Sequence, residues 1–113
     1  MKHACLILFL ITAIAVPAGR TRGGSVSAHV KTATQLYSKN CASCHGRDGR
    51  AKTFKAKFNH ARNISDPEWQ ERASDERIFN SIMNGKGKMP SYSKKLSEQE
   101  IDALVTYVRG LRK

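Results

Sequence analysis

Apolar residues recur at helical spacing in three stretches of this 113-residue chain. Ala33, Leu36, Tyr37, Cys41 and Cys44 fall at intervals of three and four, which predicts a helix from Lys31 into residues 41–45. Ile78, Phe79, Ile82 and Met83 form a second stripe, opened by a cap at Ser74 or Asp75 and stopped at Gly85. The third stripe is Ile101, Leu104, Val105, Val108 and Leu111, preceded by the capping box Ser97-Glu98-Gln99-Glu100. Ser65-Asp66-Pro67-Glu68 has the same spacing with proline in the first turn. It predicts a short helix carrying Trp69, with Ser65 as its cap. That use of Ser65 also competes with reading Asn63-Ile64-Ser65 as a glycosylation sequon. Residues 46–63 read as a loop, no stretch alternates with strand period, and there is no internal repeat. The fold class is all-α.

The N-terminus follows a different pattern. A basic head, Met1-Lys2-His3, precedes an apolar run from Ala4 to Val16, and Val16-Pro17-Ala18 supplies the small residues of a cleavage site. Residues 1–18 are therefore expected to be a signal peptide, 19–30 a Gly-, Ser- and Arg-rich leader, and 31–113 the single domain. The run of 13 residues is short for a membrane-spanning helix, which needs about 20. Retention as an N-terminal anchor is the alternative. Cys5 lies far from the cleavage site, so no lipid anchor is expected there.

Composition sharpens this picture. Aromatic residues make up 7% of the chain, thin for a small core, so a bound group is expected to complete it. Twenty Lys and Arg against nine Asp and Glu give a formal charge of +11, which calls for an anionic partner. Arg47, Arg50, Lys52, Lys55 and Lys57 concentrate that charge against one acid, Asp48. They serve either as a solvated loop or as a docking face.

The chemistry centres on Cys41-Ala42-Ser43-Cys44-His45, the C-x-x-C-H pattern of covalent haem attachment. On a helix these three reactive side chains stand at i, i+3 and i+4 and share one face. Two thiols can then meet the two vinyl groups of one haem edge, while the His45 imidazole takes an axial position on the iron. A thioredoxin-type dithiol would need a βαβ setting. A zinc site would need further ligands, for which the exported chain offers His29 and His60 beside His45.

With these motifs in order, residues 31–113 resemble a class I monohaem cytochrome c. The resemblance is carried by the Tyr37 to Gly46 segment, by Asn84-Gly85-Lys86-Gly87-Lys88-Met89-Pro90, by the capped C-terminal helix, and by Tyr107 within it. It implies a small fold whose first and last helices cross around covalently attached haem, with Tyr37 and Tyr107 at the crossing. Ala33 and Leu104 support that crossing, although the family usually has Gly where Ala33 stands. It also implies Met89 as the second axial ligand and a contact from Trp69 to a haem propionate. His60 or an open position are the alternatives to Met89. Relatives often orient the proximal histidine with a proline carbonyl, but no proline lies between His45 and Asp66, so another carbonyl must serve.

The implied function is an exported, monomeric one-electron carrier in the periplasm or at the outer face of the membrane. Its partners would be redox proteins with acidic docking surfaces, with loose contact to anionic lipid and none to nucleic acid. A haem-bearing subunit of a larger membrane-associated oxidoreductase is the alternative. A haem sensor or catalyst would require a labile sixth ligand.

Overall fold

The computed structural model describes residues 32–113; the expected signal peptide and leader lie outside the described residues. Six helices follow in order: α1 (Ala33–Asn40), α2 (Ala42–His45), α3 (Phe54–Asn59), α4 (Pro67–Arg72), α5 (Asp75–Asn84) and α6 (Glu98–Gly110). Among the described residues there is no strand, only an isolated bridge between Lys86 and Met89. The all-α expectation holds.

Local chemistry explains most helix starts. Thr32 and Gln35 close a capping box on α1, and Ser97 and Glu100 close another on α6. Ser74 caps α5 through its hydroxyl, which accepts from the Arg77 N–H, and Gly85 ends that helix with φ of 76°. α4 departs from expectation. Its cap is Asp66, whose carboxylate accepts from the Trp69 N–H at 3.0 Å. Ser65 is buried instead, and its hydroxyl donates to Asn63 Oδ1 at 2.8 Å.

Two other boundaries also differ. The first helix does not run unbroken through the motif, because Cys41 (φ −116°, ψ −39°) separates α1 from α2. The stretch 46–63 is not all loop, since Thr53 caps the six-residue α3 within it. That helix escaped the pattern because its phenylalanines face outward. No buried stripe marked it.

The core lies where α1 and α5 pack on α6. Leu36, Tyr37, Ile101 and Leu104 are almost wholly shielded from water. Full burial of each such aliphatic side chain is worth ~1.5–3 kcal/mol. The Tyr37 and Tyr107 rings meet at 4.7 Å between centroids, inclined by 36°, so the expected aromatic pair bridges the first and last helices.

A polar clamp fastens α4 to α6. The buried Gln70 amide donates to the carbonyls of Ile64 (2.8 Å) and Val108 (2.7 Å). Arg109 donates to the carbonyls of Gln70 and Ala73 and forms an ion pair with Asp75 at 2.6 Å. Carbonyls at the end of α4 that lack helical partners are thereby satisfied, which lets this short helix stay ordered beside the core.

Candidate cofactor site

The lower wall of the site is the Cys41–His45 turn. The N–H groups of Cys44 and His45 both donate to the Cys41 carbonyl, at 3.1 and 2.9 Å, which gathers the three reactive side chains into one turn. Gly46 then leaves the helix with φ of 78°, and its carbonyl accepts from the buried Tyr37 hydroxyl at 2.7 Å. Burial pushes the Tyr37 phenol up, so it remains a hydrogen-bond donor. The first helix is thus tied to the end of the motif nine residues on.

Residues 46–63 wrap back around this turn. The Ala51 N–H donates to the His45 carbonyl at 2.8 Å, and the Thr53 hydroxyl donates to the Cys44 carbonyl at 2.9 Å. Asn59 reaches Cys44 Sγ at 3.6 Å through its amide. At the end of the segment the Arg62 carbonyl lies 2.9 Å from His45 Nδ1. A carbonyl can only accept, so Nδ1 carries the proton and the lone pair of Nε2 is free. Burial also lowers the His45 pKa against the opposing pull of that hydrogen bond, keeping the ring neutral near pH 7. No proline lies between His45 and Asp66, and the Arg62 carbonyl is the one that meets the ring.

Across the cavity stands the loop after α5. Gly85 turns the chain, and Lys86 and Met89 exchange N–H···O bonds of 3.0 Å each. Ser91 donates through its hydroxyl to the Met83 carbonyl at 2.6 Å, and the Tyr92 N–H donates to the Ile82 carbonyl at 3.0 Å. The Tyr92 hydroxyl reaches the Asn40 carbonyl at 2.7 Å, joining this loop to the end of α1. Lys88 Nζ donates to the Phe58 carbonyl at 2.6 Å, joining it to α3.

Between these walls lies a cavity of about 610 Å³, lined by Cys41, Cys44, His45 and Met89. Trp69 and the apolar side chains Ile64, Ile78, Ile82 and Leu104 also face it. This volume sits within the ~300–1,000 Å³ typical of cofactor pockets. Both cysteines are free thiols, and burial pushes Cys41 up to about 11. The donor set therefore suits a large planar group: two thiols on one edge, a neutral imidazole, a thioether and apolar walls. Among the described residues no group of three His, Cys, Asp or Glu is placed to hold a bare metal ion.

The structure brings together all five site residues read from the sequence, and His60 also lies along the cavity. His60 is exposed and closes α3 in the left-handed region, with φ of 51°. Sequence reasoning missed Thr53, Asn59, the Arg62 carbonyl and Tyr92. Thr53 had a local signal, since a threonine with a free stretch after it is a good cap. The others are set by the path of the chain.

Gly85 yields a sharp expectation. An added Cβ would lie 2.7 Å from the Met89 carbonyl oxygen and 2.8 Å from the Ser91 nitrogen, at a positive φ that disfavours side chains. Gly85→Ala should cost about 2 kcal/mol or more. Thermal unfolding would register this as a loss of about 4–8 °C per kcal/mol. An unchanged midpoint would mean that the loop is not held as tightly as these distances imply.

Comparison with known proteins agrees with this fold. The family model described as cytochrome C oxidase, cbb3-type, subunit III, matches residues 28–108. Cytochrome c6 of Cyanidium caldarium is 35% identical over 86 residues, covering 73% of this chain and 71% of that protein. Chloroplastic cytochrome c6 of Chlamydomonas reinhardtii is 34% identical over 116 residues, covering 95% and 74% respectively. The cbb3-type oxidase subunit FixP of Azorhizobium caulinodans is 32% identical over 82 residues, but this chain spans only 27% of its length. Among solved structures, the KustC0563 c-type cytochrome superposes with a TM-score of 0.68 at 38% identity, covering 74% of this chain and all of that one. The chain belongs to the class I c-type cytochromes, and it is a small all-α electron carrier with one covalently bound haem c.

Proposed function

We propose that Cys41 and Cys44 anchor the haem through thioethers, that His45 and Met89 are its axial ligands, and that the protein shuttles single electrons as an exported monomer. One observation carries this reading. His45 and Met89, 44 positions apart in sequence, line the same cavity as the two free thiols. Bound there, haem c supplies an iron that gains or loses one electron.

The protein's own groups make that exchange selective. The Arg62 carbonyl holds the His45 ring in one tautomer with Nε2 available. The Lys86–Met89 bridge and the Tyr92 tie hold the loop that carries Met89 along the cavity. A thioether is soft and neutral, and it favours the ferrous state more than a second imidazole does. Were His45 and Met89 both to hold the iron, no coordination site would be left for oxygen or peroxide, which supports a carrier rather than a catalyst. Trp69 lines the cavity and is the residue we assign to a propionate.

A redox titration followed by absorption spectroscopy tests the assignment. One low-spin, six-coordinate haem with a single one-electron step is the expected result. A high-spin spectrum, or ready binding of carbon monoxide by the reduced protein, would overturn the filled sixth position. A second reading, a haem-bearing subunit of a larger oxidoreductase, draws on the match to cbb3-type subunits. Co-purification with a membrane complex would favour it.

Export to the periplasm, or to the outer face of the membrane, is supported by the signal-like pattern of residues 1–18. The excess of Lys and Arg over Asp and Glu, nearly all of it outside residues 1–18, supports partners with acidic docking surfaces. Transfer to the physiological partner should slow steeply with salt, because the Debye length falls from about 10 Å at 0.1 M to about 3 Å at 1 M. Charge reversal at Lys52, Lys55 or Lys86 should slow association and leave the potential nearly unchanged. A rate flat across ionic strength would remove the electrostatic docking claim.

A further inference from the structure

Phe54 and Phe58 are the exposed large apolar side chains among the described residues, 76% and 60% accessible. They stand one turn apart on α3 with ring centroids 4.8 Å apart, so each ring packs on the other. Neither lines the cofactor cavity, yet Lys55 and Asn59 of the same helix do. The aromatic pair therefore sits beside the cavity rim. Leaving both rings in water forgoes most of the burial free energy that folding could have gained from them.

The surroundings indicate what covers them. Between Asp48 and Asp66 the chain has no acidic residue, and Lys52, Lys55 and Lys57 flank the pair. Lys88 adds a fourth ammonium, seated on the Phe58 carbonyl. An apolar centre with a basic rim is complementary to an apolar centre with an acidic rim. A second copy of the chain would set like charges against each other. The chain's own residues 19–30 are Gly-, Ser- and Arg-rich and match neither feature. A lipid surface would satisfy the chemistry of the patch, but it would place no electron acceptor at the cavity rim.

We propose that Phe54 and Phe58 are the apolar anchor with which this protein docks an acidic-rimmed redox partner. The proposal rests on the carrier reading above and adds to it a short-range contact that salt does not screen. Long-range steering by lysine and seating by the aromatic pair are then separable.

The test uses the holoprotein on two gold electrodes, one coated with a carboxylate-terminated alkanethiol monolayer, the other with mixed carboxylate- and methyl-terminated chains. A reversible one-electron wave on the pure carboxylate surface is what the carrier reading requires. Its absence on both surfaces would overturn that reading and the anchor with it. The anchor itself predicts that wild type adsorbs roughly five- to tenfold more tightly to the mixed surface than to the pure one. The Phe54→Ser/Phe58→Ser variant should lose that advantage while keeping its wave and potential on pure carboxylate. Phe54→Leu/Phe58→Leu should retain most of it, because apolar area rather than ring chemistry is what counts. Equal behaviour of the serine variant and wild type on both surfaces would overturn the anchor. So would phenylalanine-dependent binding to phosphatidylglycerol–phosphatidylcholine vesicles without any mixed-surface advantage, which would assign the pair to lipid.

Discussion

Replacing both Cys41 and Cys44 with alanine should yield a chain that neither retains haem nor folds stably. The reason lies in the arithmetic of the core. The described domain closes around a cavity of about 610 Å³ whose walls include Ile64, Ile78, Ile82 and Leu104. Without a filling group those side chains lose their packing partners on one side. A domain of this size has little surplus to offset such a loss, since small cores supply only a few kcal/mol net. Thioethers at Cys41 and Cys44 would also matter beyond packing, because they would hold the haem against dissociation and so keep the core complete. Absorbance in the Soret region and far-ultraviolet circular dichroism of the purified double variant provide the check. A cooperative, helical apo-protein would show that the helices close without haem, and the argument from core size would then be wrong. Each single variant should retain some haem through its remaining thioether and unfold at a lower temperature than wild type.

The second large effect is expected at Met89. Met89→His should preserve a six-coordinate low-spin spectrum and lower the reduction potential, because a second imidazole favours the ferric state relative to a thioether. The shift should be on the order of 0.1 V, a modest part of the roughly 0.8 V over which axial ligands set haem potentials. Met89→Ala should act differently. It removes the thioether while the Lys86–Met89 backbone bridge can persist, so the loop keeps its path and one axial position becomes available to added imidazole or cyanide. Titration of the ferric variant with imidazole should then saturate at concentrations that leave wild type unchanged. If spectrum and potential both survive Met89→Ala, the sixth ligand is elsewhere. His60, which also borders the cavity, would be the residue to replace next.

These two predictions draw on different kinds of information. The two thiols and His45 were visible in the sequence as one short motif whose chemistry requires that spacing, whereas Met89 was singled out by the family resemblance. The caps at Ser74 and Ser97, the stop at Gly85 and the stripe of α6 were visible for a similar reason. A helix cap is an interaction within one turn, so the residues that make it are neighbours in sequence. The pairing of Tyr37 with Tyr107 came from the family resemblance, since no local pattern links residues 70 positions apart.

Other features were decided only by the tertiary structure. Ser65 and Asp66 are both competent caps, and the choice fell to Asp66 because the chain buries Ser65 against Asn63. α3 forms with both phenylalanines outward and only Ala56 buried, so amphipathic periodicity could not reveal it, and its Phe54–Phe58 pair became a surface feature instead of core. The Arg62 carbonyl reaches His45 from 17 positions away, and Gln70 and Arg109 reach carbonyls on other elements. Every residue carries a backbone carbonyl, so composition says nothing about which one will orient an imidazole. The sequence by itself determined the chemistry this protein carries, because reactive groups and helix ends are encoded within a turn or two. The packed chain alone decided which backbone carbonyl meets the His45 ring and which apolar side chains are left exposed, because those depend on distances between segments that are remote in sequence.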